Sequence, residues 1–112
     1  MFTVQSAILE MLVEELRDSQ PEFGAVINQI LQPQSLDERR AHLRRLGALW
    51  HDRGGEPEVL AELGLVLAVK TDTDPGIVLS ELLIAYGVAR DEQRTREKEA
   101  DLARRMSELR GL

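Results

Sequence analysis

One stretch of the chain, residues 56–89, holds most of its densely apolar sequence. Two runs inside it, 59–69 and 77–86, are interrupted only by Glu62, Ser80 and Glu81. A helix on a protein surface carries an apolar stripe with polar residues opposite. These runs are apolar nearly all round, so we expect them to be buried on most sides. The pattern predicts an apolar hairpin over residues 57–86 at the centre of the fold.

Turn and cap residues bound the two runs of this hairpin. Pro57 suits the first turn of a helix, where its missing N–H would be unpaired anyway. Asp74 followed by Pro75 provides an N-cap and first helical residue for the second helix, which leaves 70–73 as the turn. Gly64 lies inside the first helix, where it is unfavourable. We therefore expect another backbone to approach it closely.

Strands are the alternative for this region, because several of its residues are β-branched. Residues 65–71 and 76–80 would then pair across a turn. Periodicity alone does not separate short apolar strands from helices. The Leu and Ala content and the two proline-initiated starts favour helices.

Apolar residues at helical spacing extend the prediction to an all-α fold, a small bundle of about five helices around the hairpin. At 112 residues the chain fits one domain. We expect a helical core domain over 1–87 and a charged C-terminal helix over 88–112, extending from that domain or packing on it. Gly87 either ends a helix or lies inside the last one. The predicted helices are 3–18, 21–32, 36–53, 57–71 and 75–110.

The formal charge of −6 is distributed unevenly along the chain. An acidic total disfavours sequence-independent binding to nucleic acid, which relies on neutralising phosphates. The helix at 36–53 is nevertheless rich in arginine, and its apolar residues form only a narrow line for packing. We interpret its arginines as a solvated face. The narrow line consists of Leu36, Leu43, Leu46 and Trp50.

No set of residues predicts catalysis, a metal site or a cofactor. The chain has no cysteine, and His42 and His51 lie two and a half turns apart, too far to share a metal. Asp72-Thr73-Asp74 begins like a calcium loop, but the later ligand positions do not fit one. We therefore predict a protein that is not an enzyme.

The stretch 79–91 supports an alternative function. It resembles the first helix, glycine turn and start of the recognition helix of helix-turn-helix proteins. This resemblance implies a nucleic-acid-binding regulator using residues 79–105, with a groove-facing set of Arg90, Gln93, Arg94 and Arg96. Gln93 stands where the second helix needs an apolar anchor, which counts against it. Nucleic acid is thus a disfavoured partner.

The preferred hypothesis follows from apolar surface that the chain has no obvious means of covering. Contiguous apolar patches are unusual on a monomer, so we expect a protein partner, with a homodimer as the commonest arrangement. The predicted function is an adaptor, regulator or scaffold component. We expect cytoplasmic residence, because no secretion signal or membrane span is evident. The predicted contacts are Leu102, Met106 and Leu109, with Arg94, Arg96 and Arg105 as rim charges.

Overall fold

The structure, a computed structural model, describes Met11, Glu14, Glu15 and residues 20–111. Residues 20–111 contain four α-helices. They confirm the all-α class, and the strand alternative is wrong because 65–71 and 76–80 are both helical. The predicted count of five is not reproduced, since the helix expected at 3–18 lies outside the described residues except at Met11, Glu14 and Glu15, which are helical. The helices are α1 (Pro21–Leu31), α2 (Leu36–Asp52), α3 (Pro57–Thr71) and α4 (Pro75–Arg110).

Local capping explains why the helices begin and end where they do. The Ser35 hydroxyl accepts a hydrogen bond from the backbone N–H of Glu38 at 3.2 Å, which caps α2. The Asp74 carboxylate accepts one from the N–H of Gly76 at 2.9 Å and caps α4. After α2 the chain turns through Gly54, whose φ of 75° favours glycine. The boundaries predicted for these helices are confirmed to within one residue.

The hydrophobic core lies where all four helices meet. The rings of Phe23 on α1 and Trp50 on α2 pack with their centroids 5.4 Å apart. The Trp50 indole N–H also donates to the carbonyl of Glu56 at 2.8 Å, which satisfies its polar atom. The fully buried large side chains are Ile27, Ile30, Leu43, Leu46, Leu60, Leu63, Leu67, Leu82 and Val78.

The most extensive helix packing joins α2 to α4, not the two helices of the predicted hairpin. A Cβ at Gly47 on α2 would lie 2.3 Å from the carbonyl oxygen of Leu82 and 3.1 Å from the Cβ of Ala85. The close backbone approach that we expected at Gly64 therefore occurs at Gly47. Gly64 instead faces the side chains of Leu82 and Leu79.

The predicted narrow line on α2 is confirmed at Leu43, Leu46 and Trp50, which are buried. Leu36, at the first position of α2, is exposed. Three apolar residues suffice for extensive packing because Gly47, between them, lets α4 come close. The narrow line is therefore enough for α2 to pack extensively against α4.

The arginines of α2 form specific contacts rather than a merely solvated face. Arg39 donates to the carbonyls of Ile30 and Gln32 at 3.0 and 2.9 Å, satisfying acceptors at the end of α1. Arg40 and Arg44 each lie 2.9 Å from the carboxylate of Glu81 on α4. These contacts join α2 to α1 and to α4.

The two arginines around Glu81 also change how this side chain titrates. Desolvation raises the pKa of the Glu81 carboxyl, and the hydrogen bonds and positive charges of Arg40 and Arg44 lower it. The arginines prevail, so the pKa of Glu81 lies below its ordinary value. The carboxylate thus remains charged where α2 and α4 meet.

Candidate interaction surface

The second half of α4 projects from the packed core. A helix of 36 residues is about 54 Å long at 1.5 Å per residue, and the molecule measures 64 × 28 × 26 Å. Ala89 is the last buried residue of α4, and between positions 90 and 110 only Asp101 is partly covered. The division of the chain into 1–87 and 88–112 stays a prediction, and α4 is continuous across that boundary.

Three apolar side chains lie near the free end of α4, and we call them the C-terminal edge. Leu102, Met106 and Leu109 are separated by four and three residues, so they share one face of the helix. Their exposed fractions are 58%, 47% and 68%. The structure brings together these three predicted contact residues and leaves them open to solvent.

The three arginines predicted as rim charges do not all border this edge. Arg105 lies beside it and pairs with Asp101, Nε to Oδ2, at 3.1 Å. Arg94 lies on the same flank as Arg105 but about three turns earlier. Arg96 is exposed, but it lies roughly 120° around the helix from Leu102 at about 100° per residue. Its placement does not fit a rim charge of this edge.

A second exposed apolar pair lies on the same face of α4, nearer the core. Ile84 and Val88 are 65% and 51% exposed. Ile84 precedes Leu102 by 18 residues, which is about five full turns, so both point the same way. Ile84 was not predicted to be exposed, because the apolar run 77–86 that contains it indicated burial. The spacing between Ile84 and Leu102 would have indicated the shared face.

The hairpin predicted to be buried on most sides has an exposed apolar side as well. Leu65 and Val69 lie one turn apart on α3 and are 47% and 78% exposed, and Leu83 on α4 is 38% exposed. The expectation of burial on most sides is wrong for these residues. Among the described helices, α3 packs mainly against α4 and less against α1 and α2, and together they cover only part of its circumference.

The turn that a helix-turn-helix module requires is not present at Gly87. This residue lies inside α4, which continues without a break from Pro75 to Arg110. Arg90, Arg94 and Arg96 therefore extend along the same helix as Leu82 and do not begin a separate recognition helix. The helix-turn-helix geometry expected for residues 79–91 is therefore wrong.

His51 on α2 packs against an aromatic side chain of α4. His51 meets the ring of Tyr86 edge-on, with centroids 5.1 Å apart, and Tyr86 donates its hydroxyl hydrogen to the Gly55 carbonyl at 2.9 Å. No group of three or more potential metal ligands occurs among the described residues. Within the same part of the chain, no helix is long and apolar enough to cross a bilayer.

Comparisons with protein-family models, with curated proteins and with solved structures found no match for this chain.

Proposed function

We propose that this protein is a non-enzymatic protein–protein interaction module that associates with itself through the projecting half of α4. The observation that carries the proposal is the C-terminal edge, three exposed apolar side chains on one face, far from the core. A contiguous apolar surface of this kind is typical of contact sites. As an adaptor, regulator or scaffold component, the protein would act by helix-on-helix contact.

The charge pattern supports the same function. Residues 90–101 contain no apolar side chain other than Ala100, so a helix made of them gains nothing by folding back on the core. A charged segment that holds an apolar edge away from the body leaves that edge available to a second protein. Tethering such an edge on a rigid helix also lowers the ordering cost of binding.

Size-exclusion chromatography with light scattering tests this function directly. We expect a dimer for the intact chain and a monomer for Leu102→Glu, because a buried unpaired carboxylate is costly. The matched control is Ala100→Glu, which adds the same charge on the opposite face of α4 and should leave the dimer intact.

Absorbance recorded at 260 and 280 nm during the same run tests the alternative partner. A monomeric intact chain would contradict self-association. A high 260 nm signal that persists through salt washing would instead favour the nucleic-acid regulator.

A further inference from the structure

The exposed face of α4 is one continuous stripe with apolar ends and a polar middle. Ile84 and Val88 form its core-proximal end, and the C-terminal edge forms the other. Between them, on the same face, lie Asp91, Thr95 and Lys98, all exposed. We call this set of eight residues the α4 stripe. Its positions repeat at intervals of three and four residues, the spacing of a helix that pairs with another helix.

The polar middle of the stripe contains one acid and one base. Asp91 lies 3.6 Å from the guanidinium of Arg90, and both side chains are largely exposed. The Thr95 hydroxyl donates to the Asp91 carbonyl at 3.0 Å, which occupies that hydroxyl within its own helix. The charges of Asp91 and Lys98, seven residues apart, thus face the same direction as the apolar ends.

This charge pattern distinguishes the two ways in which the stripe can meet a second copy. In a parallel pair, Asp91 faces Asp91 and Lys98 faces Lys98, and both contacts are repulsive. In an antiparallel pair centred near residue 93, Asp91 lies between Arg94 and Lys98 of the second copy. Opposite charges then meet twice, once for each copy.

Two apolar pairs form in the same antiparallel register, while Val88 lies opposite Lys98 and Met106 lies opposite Ser80 of the second copy. Residues equally far before and after position 93 lie opposite each other, so Ile84 meets Leu102 of the second copy and Ile77 meets Leu109. Glu92 and Glu99 lie on the other flank of the stripe, where solvent screens their charges. A two-fold axis at the centre makes every contact occur twice.

We propose that two copies of the chain form an antiparallel dimer through the α4 stripe, with the C-terminal edge of each copy covering Ile84 of the other. This inference rests on the proposed self-association and adds its partner surface, direction and register. It also accounts for the exposed Ile84, which self-association through the C-terminal edge alone would leave uncovered.

A spin label at one position measures the direction of pairing. The chain lacks cysteine, so Ser107→Cys, at an exposed position off the stripe, gives one label per copy. The antiparallel register places the two labels about 40 Å apart, from 14 residues on either side of the centre at 1.5 Å per residue. A parallel pair places them within about 20 Å, given helix axes 8–10 Å apart.

Charge reversal measures the register independently of any label. Asp91→Lys places a cation beside Arg94 and Lys98 of the second copy, so we expect the dimer to dissociate about tenfold more readily. Reversing all three charges, as Asp91→Lys with Arg94→Glu and Lys98→Glu, should restore the affinity. Glu92→Lys, next to Asp91 but off the stripe, is the control and should change it little.

The outcomes separate this inference from the function on which it rests. A dimer by light scattering with labels about 40 Å apart supports both. A dimer with a short or unrelated label distance, or one unaffected by Asp91→Lys, overturns the antiparallel register while self-association stands. A monomer for the labelled and the unlabelled chain overturns both.

Discussion

The two halves of α4 have the same secondary structure for different reasons. Residues 75–89 pack against α2 and α3 and contribute Val78, Leu82 and Ala89 to the buried interior. Residues 90–110 bury no side chain, and all of them except Asp101 are exposed. The first half is stabilised mainly by removing apolar surface from water. The second half depends on local interactions and on continuing a helix that is already formed.

Continuity matters because starting a helix is the unfavourable step. Isolated helices are only marginally stable in water, since the first turn orders several residues for one hydrogen bond. The packed half of α4 provides that first turn. The projecting half then adds residues of good helix propensity, with local pairs such as Asp101 and Arg105. A helix can therefore extend into solvent and present a binding face without a core of its own.

We expect the largest effect when a leucine in each half of α4 is replaced by alanine. Leu82 is fully buried and Leu102 is 58% exposed. We expect Leu82→Ala to lower the free energy of unfolding by about 2–5 kcal/mol, through lost burial and the cavity left behind. Leu102→Ala should change it by less than about 0.5 kcal/mol, as surface substitutions do.

Urea unfolding followed by far-ultraviolet circular dichroism measures both leucine variants. The measurement uses protein dilute enough to be monomeric, so that association does not add to the result. Similar losses for the two variants would show that the projecting half is packed in the folded monomer, which contradicts the comparison.

The helix boundaries were predictable because they depend on near neighbours in the chain. Pro57, Pro75 and the Ser35 cap act within one turn, so their effects can be read from sequence. The close approach at Gly47 was not predictable in that way. Glycine inside a helix is unfavourable by itself, and its benefit here depends on which backbone lies opposite.

The candidate site was predictable to the same limited extent. Leu102, Met106 and Leu109 were identified because charged sequence isolates them from the other apolar runs. Ile84 was assigned to the interior because its neighbours are apolar. Whether one face of such a helix is covered depends on how many helices surround it, and a local pattern does not contain that number.

The next largest effect is expected at two glycines, where substitution by alanine should change the free energy of unfolding in opposite directions. Gly47→Ala would place a methyl group against the Leu82 carbonyl oxygen, a backbone atom that cannot move aside alone. We expect a loss of about 1–3 kcal/mol in the free energy of unfolding, typical of overpacking. At Gly87, inside α4, the nearest atom to an added Cβ is Arg90 Nη2 at 3.9 Å. Gly87→Ala should therefore stabilise the protein by up to about 1 kcal/mol.

Thermal or urea unfolding of both glycine variants distinguishes packing from helix propensity. Propensity alone would make the two substitutions equally stabilising. A gain in stability for Gly47→Ala would thus refute the close contact between α2 and α4.

We expect the smallest change in stability when one carboxylate in each half of α4 is neutralised. These are Glu81 in the packed half and Asp101 in the projecting half. Glu81 is held by two arginines from α2, so Glu81→Gln should cost about 1 kcal/mol near pH 7, allowing for the exposure of those arginines. Asp101→Asn should cost at most about 0.5 kcal/mol, as for exposed pairs within one helix.

Acid titration of stability identifies the Glu81 contribution by its direction. The pKa of Glu81 is lower in the folded protein than its ordinary value, so its contribution is complete above that ordinary value and is lost as the pH falls through the lowered one. The stability curves of the intact protein and Glu81→Gln should therefore converge in acid. A difference that persisted unchanged through that range would show that Glu81 acts through packing and not through its charge, and the two halves of α4 would then differ in burial alone.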